Sequence, residues 1–290
     1  TQPCSSAASD VYKRQGKTAA SVKDEDFVEQ LIVANTHRTL LCFSNLGKVY
    51  WLKVYEIPQA SRTAKGRPLV NLIELDEQER VTSLLDVQSF EDEAFVFMAT
   101  QNGIIKKTPL SEFKRQRKNG KRAIKLDEND ELVGTLLTNG SADLMVVSNA
   151  GKAVFFNEKD ARSMGRDTRG VKGITLDRNQ QVISLLKPSK ESEILTVSEN
   201  GYGKRSKVSD FRKTKRGAKG VIAMQTTQRN GDLISAKEVS DTDEVILITN
   251  KGMLVRTKVS EISLIGRNTQ GVKVISLKED EALNGLALAI

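Results

Sequence analysis

Lysine and arginine are the residue types in this sequence whose spacing indicates chemistry, because they gather in five stretches of the chain. These stretches hold 31 of the 45 Lys and Arg but 7 of the 37 Asp and Glu, so the rest of the chain is acidic. Gathered cations bind phosphates and release the counterions that condense on duplex DNA. The pattern therefore favours duplex DNA as the ligand. The stretches are residues 47–67, 103–122, 151–172, 201–220 and 252–273.

We predict that these stretches contact DNA phosphates without reading the bases. A single cluster of charged side chains is usually only a solvated surface, but recurrence in five repeats favours a binding function. The densest loops, residues 114–122 and 204–219, are the strongest individual candidates. The predicted DNA-binding residues are Lys17, Arg62, Lys65, Arg67, Lys106, Lys107, Lys114, Arg115, Arg117, Lys118, Lys121, Arg122, Arg162, Arg166, Arg169, Lys172, Lys204, Arg205, Lys207, Arg212, Lys213, Lys215, Arg216, Lys219, Arg256, Lys258, Arg267 and Lys273.

Residues suited to catalysis or metal binding are few. His37 is the only histidine and stands in a predicted hairpin turn, and the acidic turns at 127–131 and 241–244 lack the spacing of a calcium loop. The two cysteines, Cys4 and Cys42, and the lack of a long apolar run favour a reducing cytoplasm. We predict no catalytic residue, metal, cofactor, small-molecule substrate or membrane contact for this domain, and a cytoplasmic location.

The basic stretches belong to an internal repeat. One phrase occurs five times: an apolar alternating strand, a short polar turn, a glycine, and a second strand with basic residues. Successive copies are 48 to 56 residues apart, and a second glycine follows the first after 17 to 19 residues. A period near fifty indicates a repeat architecture. The first glycines are Gly47, Gly103, Gly151, Gly201 and Gly252, and the second are Gly66, Gly120, Gly170, Gly220 and Gly271.

The repeat predicts the fold. After the second glycine, two more strand-like phrases flank an acidic turn, as in AIKLDENDELVGTLL. Apolar residues at every second position indicate hairpins of half-buried strands, and about four strands per unit is typical of propeller blades. We predict an all-β, six-bladed, propeller-like disc of four-stranded antiparallel blades, with the first blade incomplete. The basic stretches would line its outer rim.

The repeat also predicts the domain boundaries. Residues 1–15 match no part of the repeat, which indicates a non-homologous, disordered leader and a truncated first blade. Residues 16–290 form a single predicted domain, in which residues 16–34 match the second half of a repeat. The five full repeats span about 38–90, 91–140, 141–190, 191–240 and 241–290.

Phrases throughout the chain resemble the C-terminal domain of the DNA gyrase A subunit; they include GRPLVNL, VFMAT, ENGYGKRS, LVRTKVSEIS and GRNTQGVKVI. The resemblance implies a disc called a β-pinwheel, which wraps duplex DNA around its basic perimeter. It also implies two partners in an A2B2 holoenzyme, namely the rest of the gyrase A protein and the gyrase B protein. By the same resemblance, that holoenzyme would be a type II topoisomerase associated with the chromosome in the bacterial cytoplasm, and its ATP-dependent negative supercoiling would be catalysed outside this domain.

One motif departs from the family. These domains carry a basic box of the form Gln-Arg-Arg-Gly-Gly-Lys-Gly, whereas the corresponding place here reads YKRQGK and matches only at Gly16 and Lys17. The five later loops are therefore expected to supply the binding. Two alternatives are the related domain of the topoisomerase IV A protein and a propeller scaffold that binds an acidic protein. Measuring the affinity for random duplex DNA at increasing salt concentrations distinguishes the scaffold from a DNA-binding domain.

Overall fold

Antiparallel strands make up nearly all of the regular structure. The computed structural model describes residues 34–60, 66–91 and 93–289. The predicted leader, and the predicted half repeat as far as residue 33, lie outside the described residues. In chain order the strands are β1 (Thr39–Ser44), β2 (Lys48–Lys53), β3 (Val81–Val87), β4 (Phe95–Thr100), β5 (Ile104–Pro109), β6 (Lys121–Arg122), β7 (Leu132–Thr138), β8 (Asp143–Ser148), β9 (Lys152–Asn157), β10 (Val171–Lys172), β11 (Val182–Leu186), β12 (Glu193–Ser198), β13 (Tyr202–Lys207), β14 (Val221–Ile222), β15 (Leu233–Val239), β16 (Glu244–Thr249), β17 (Leu254–Lys258), β18 (Val272–Lys273) and β19 (Leu283–Ala289).

Short 3-10 helices lead out of several of these strands. Most begin at the end of a hairpin, where the chain leaves the sheet and enters a basic loop. They span Val54–Glu56, Leu69–Asn71, Leu110–Phe113, Glu158–Asp160, Val208–Asp210 and Val259–Glu261.

The strands of the described residues form five antiparallel sheets, each of which is one blade. The first four have the orders β3-β1-β2-β6, β7-β4-β5-β10, β11-β8-β9-β14 and β15-β12-β13-β18, and the fifth has the order β19-β16-β17. The all-β, propeller-like fold with four-stranded antiparallel blades is thus confirmed. The described residues form five blades, however, and not six.

The fourth strand of a blade comes from a different place than the sequence predicted. It is a two-residue strand of the next repeat, as when Lys121 and Arg122 pair with Val49 and Lys48. The phrase after the second glycine therefore does not form a hairpin within its own repeat. Its first N–H groups donate to the preceding blade instead, as those of Ala123 and Ile124 do to the Gly47 carbonyl. We call each such place a strand-exchange junction.

The repeated first glycine is required at these junctions. Gly151 has φ +71°, and a Cβ atom on it would lie 2.0 Å from the carbonyl oxygen of Met224 in the next repeat. The Gly151 carbonyl accepts hydrogen bonds from the N–H groups of Ala223 (2.7 Å) and Met224 (3.2 Å). A side chain would therefore meet both a disfavoured backbone conformation and a backbone atom. Equivalent bonds to the next repeat are made by the carbonyls of Gly47, Gly103 and Gly201.

The core lies between consecutive blades. All six residues of β1 are buried, because the hairpin is covered on both faces and not on one face only. Phe43 packs edge-to-face on Phe113 of the second repeat, with ring centroids 5.9 Å apart. The innermost strands β3, β7, β11, β15 and β19 line a central cavity of about 390 Å³. The two-residue strands lie at the opposite, outer edge of their sheets.

Candidate nucleic-acid interface

The basic stretches run along the outer edge of the sheets. The last four of them begin at the second strand of a hairpin and end at, or next to, the two-residue strand that pairs with the preceding blade. Between these points the loop lies parallel to the preceding repeat's hairpin. Parallel bridges join Ser163 to Lys107, Lys213 to Phe155 and Leu264 to Arg205.

Most of the predicted DNA-binding side chains within the described residues are exposed on these loops. Four more are half-buried, namely Lys121, Arg166, Arg216 and Arg267. Three predicted residues, Lys17, Arg62 and Lys65, lie outside the described residues. The exposed set is Arg67, Lys114, Arg115, Arg117, Lys118, Arg122, Arg162, Arg169, Lys172, Lys207, Arg212, Lys213, Lys215, Lys219, Arg256, Lys258 and Lys273.

Some of the exposed cations pair with carboxylates at the surface. Lys118 lies 3.0 Å from Glu74, and Lys213 lies 2.5 Å from Asp143. Exposed ion pairs contribute at most about 1 kcal/mol, so such a cation can exchange its carboxylate for a phosphate at little cost. Three further ion pairs are Lys114–Glu91, Arg169–Asp127 and Arg256–Glu244. The remaining members of the exposed set make no ion pair with another described residue.

Lys106 and Lys204 are not surface residues, so their prediction as phosphate contacts is wrong. Both side chains are fully buried at equivalent positions in β5 and β13. The Lys106 ammonium donates to the carbonyls of Ala123 (2.7 Å) and Arg166, and the Lys204 ammonium donates to those of Gly266 (2.8 Å) and Arg267. Each amine therefore joins its strand to the loop of the next repeat.

Lys107 and Arg205 are also buried, and the same correction applies to them. Lys107 forms an ion pair with the fully buried Glu158 at 3.2 Å. Arg205 forms an ion pair with Glu193 at 2.7 Å, and its Nε donates to the Ile262 carbonyl at 2.7 Å. We predicted all four cations to be phosphate contacts, although each is buried within a strand.

The pH dependence of stability should reveal the lowered pKa values of the two buried amines, Lys106 and Lys204. Burial lowers the pKa of Lys106 and of Lys204 from 10.5 to about 8. Between these values the unfolded chain binds more protons than the folded chain, so their contribution to stability rises with pH. Over pH 8–9.5 we expect the stability of the wild type, relative to a Lys106→Met variant, to rise by about 1 kcal/mol per pH unit.

Urea denaturation at several pH values measures this difference. The comparison with the variant is needed because burial raises the pKa of the Cys42 thiol to about 12, which lowers stability as the pH rises through 9. A difference that is constant across the range would show that Lys106 keeps its proton in the folded state.

Three half-buried arginines hold the exchanged strands in place. Arg166, Arg216 and Arg267 occupy the same position of successive repeats, four residues before the second glycine. Their Nη1 groups donate to carbonyls of the two-residue strands, with lengths of 3.3 Å to Arg122, 3.0 Å to Lys172 and 2.9 Å to Ile222. Each arginine thus links its own loop to a strand at the preceding junction.

Replacing Arg216 by alanine should destabilise the domain. Its guanidinium makes two hydrogen bonds, to the carbonyls of Asp160 (2.9 Å) and Lys172 (3.0 Å). Hydrogen bonds to charged groups contribute about 1.5–3 kcal/mol each, and solvent access to the half-buried side chain reduces this contribution, so we expect the free energy of unfolding to fall by about 2–4 kcal/mol. Arg212→Ala, in the exposed part of the same loop, is the matched control and should have little effect on the urea midpoint.

The described residues show no candidate metal site or membrane-spanning helix. No group of three or more His, Cys, Asp and Glu side chains among them could hold a metal ion. No helix in this part of the chain is long and apolar enough to cross a bilayer. His37 lies in an exposed turn, where its backbone N–H donates to the Asn35 side chain at 3.0 Å.

Comparisons with known proteins agree with this architecture. The family model described as "DNA gyrase C-terminal domain, beta-propeller" matches residues 38–88, 94–139, 142–189, 192–240 and 243–289. The DNA gyrase A protein of Escherichia coli (strain K12) is 50% identical over 285 residues, which cover 98% of this chain and 33% of that protein. The DNA gyrase A protein of Salmonella typhimurium is 49% identical over 272 residues, which cover 94% of this chain and 31% of that protein.

Two solved structures share the fold. The C-terminal domain of DNA topoisomerase IV has a TM-score of 0.84 at 28% identity, over 94% of this chain and 85% of that one. The DNA gyrase A C-terminal domain has a TM-score of 0.76 at 27% identity, over 93% of this chain and 91% of that one. The chain spans about a third of the length of its curated relatives. It belongs to the DNA gyrase A family, of which it represents the C-terminal β-propeller domain.

Proposed function

We propose that this domain binds duplex DNA without reading its bases, and that it bends or wraps the duplex along the outer edges of its blades. The observation that carries the proposal is the exposed basic loop beside each of four consecutive junctions. Equivalent loops on successive blades present cations at regular intervals, which suits the regular phosphates of a duplex. Such contacts position the DNA and carry no sequence information.

The energetics favour contact over several blades. Smooth bending of a 20–30 bp site costs roughly 1–6 kcal/mol, so a single loop could not offset it at physiological salt. The loops at the first and third junctions carry most of the exposed cations that lack an ion pair, including Arg115, Arg117, Lys215 and Lys219. A duplex that engages these loops together can repay its bending cost through counterion release.

In the full-length protein, we propose that this binding supports ATP-dependent negative supercoiling. The relatives at 49–50% identity are DNA gyrase proteins, which favours gyrase over topoisomerase IV as the parent enzyme. The partners would be the rest of the gyrase A protein and the gyrase B protein in an A2B2 holoenzyme within the bacterial cytoplasm. The domain itself would be non-catalytic, would need no cofactor and would act by holding DNA.

A salt titration against a random 40-bp duplex tests the proposal. Each phosphate contact contributes about −0.9 to the slope of log K against log salt, so contacts from two or more loops predict a slope of about −4 or steeper. A scaffold for an acidic protein would give weak DNA binding and a slope close to zero. That result would contradict the DNA-binding proposal.

A further inference from the structure

Four cations come together at the first junction. We define the first-junction cluster as Arg115, Arg117, Lys121 and Arg166, at the place where the second repeat pairs with β2 of the first blade. Partial burial, followed by the positive fields of the three arginines, holds the pKa of Lys121 below its usual value, and Glu112 opposes that shift. The arginine charges therefore act directly on the Lys121 ammonium.

The loop that carries Arg115 and Arg117 is fixed at both ends. At one end the Phe113 side chain is fully buried, and the Phe113 carbonyl accepts a hydrogen bond from the Trp51 indole at 2.8 Å. At the other end Lys121 and Arg122 pair with Val49 and Lys48 of β2. Both arginines are exposed, and neither makes an ion pair with another described residue. The loop thus has fixed ends, and its two arginines have no protein counter-ion among the described residues.

Lys121 itself distinguishes this junction. It is the first residue of its two-residue strand, a position that valine occupies in β10, β14 and β18. Its ammonium lies 5.9 Å from the centroid of the Trp51 ring. The Arg166 guanidinium donates to the Arg122 carbonyl at 3.3 Å and lies 3.7 Å from Glu112. The neighbouring strand and loop therefore fix the position of both inner cations.

We propose that the first-junction cluster is the primary phosphate site of the domain, where duplex DNA is captured before it extends along the other loops. This inference rests on the proposed DNA-binding function and adds the order in which the loops contact the duplex. Like charges held close together repel one another, and a phosphate between them relieves that repulsion. Because the loop backbone is already fixed at both ends, binding loses less conformational entropy than at a mobile loop. Bidentate contacts from two arginines to phosphate oxygens add binding energy and geometric specificity.

Two double variants that remove the same charge test the proposal. Arg115→Ala with Arg117→Ala removes two cations from the cluster, and Lys215→Ala with Lys219→Ala removes two exposed cations from the fourth repeat. On a 20-bp duplex at 100 mM salt, we expect the first to weaken binding at least tenfold and the second about threefold or less. The salt slope of the first should become shallower by about 1.8, the value for two lost contacts.

The outcomes separate the inference from the proposed function. All four replaced side chains are exposed, so unchanged thermal unfolding of both variants should confirm that the fold is intact. Equal losses, or a larger loss in the Lys215/Lys219 variant, would overturn the capture site while leaving DNA binding in place. Binding by the wild type that does not depend on salt would instead overturn the proposed function itself.

Discussion

Replacing Gly151 by alanine is expected to lower the free energy of unfolding by about 4 kcal/mol, or to prevent folding. The new Cβ would lie 2.0 Å from the Met224 carbonyl oxygen, and φ at this position is +71°. The positive φ costs about 1 kcal/mol, overpacking costs 1–3 kcal/mol, and the two hydrogen bonds to Ala223 and Met224 would be weakened as well. Urea denaturation followed by circular dichroism measures the loss.

Gly165→Ala is the matched control in the same repeat. A Cβ at Gly165 would meet no atom within 4 Å, and its backbone does not lie in the left-handed region. Its urea midpoint should stay close to that of the wild type. Similar stabilities for the two variants would show that Gly151 does not need to be glycine, and that the exchange junction is not tightly packed.

The second large effect is expected from Glu158→Ala. Glu158 is fully buried, and its carboxylate pairs with Lys107 at 3.2 Å while accepting hydrogen bonds from the Ala142 N–H (2.6 Å) and the Thr138 hydroxyl (2.7 Å). Removing it leaves the Lys107 ammonium uncompensated among buried groups. Breaking a buried ion pair in this way costs about 3–5 kcal/mol.

A double variant distinguishes the unpaired charge from lost packing. Adding Lys107→Met to Glu158→Leu removes both charges, and replacing a whole buried pair by apolar residues is often nearly neutral. We therefore expect the double variant to be more stable than Glu158→Leu alone, which has the same residue at position 158 but leaves the Lys107 charge unpaired. A double variant that is no more stable would show that the unpaired charge of Lys107 is not the source of the loss.

The sequence predicted the blade fold because its signals are local. Gly47 and its four equivalents mark hairpin turns, and the apolar alternation around them is long enough to read. Strand exchange could not be read in this way. Lys121 and Arg122 form a strand of two residues, which is too short to show a period, and their partners Val49 and Lys48 lie more than seventy residues earlier in the chain.

The sequence only partly indicated which cations are exposed candidates for DNA binding and which are buried structural residues. Lys106 and Lys204 look like their exposed neighbours when charge alone is counted. A signal was present, because the same repeat position holds the apolar Val154 in the third repeat and the buried Tyr50 in the first. The carbonyls that these amines bind belong largely to the next repeat. Only the tertiary structure brings those carbonyls to the strand.

The structural role of the three half-buried arginines could not be predicted from the sequence for a similar reason. Arg166, Arg216 and Arg267 recur beside exposed loop cations, and nothing local sets them apart. Their hydrogen-bond partners are backbone carbonyls, which every residue has. No pattern of side chains in the sequence therefore predicts these hydrogen bonds. The candidate interface is therefore narrower than the count of basic residues indicated. It consists of the exposed loop cations, together with the half-buried Lys121 and Arg166 at the first junction.

A topological assay tests most directly the claim that the outer loops bend duplex DNA around the blades. A nicked plasmid is ligated with the domain bound, the protein is removed, and the distribution of linking numbers is compared with that of plasmid ligated alone. Wrapping along successive blades predicts a shift that grows with the protein-to-DNA ratio and disappears at high salt. A linking-number distribution that stays unchanged while the DNA is saturated with protein would contradict the account.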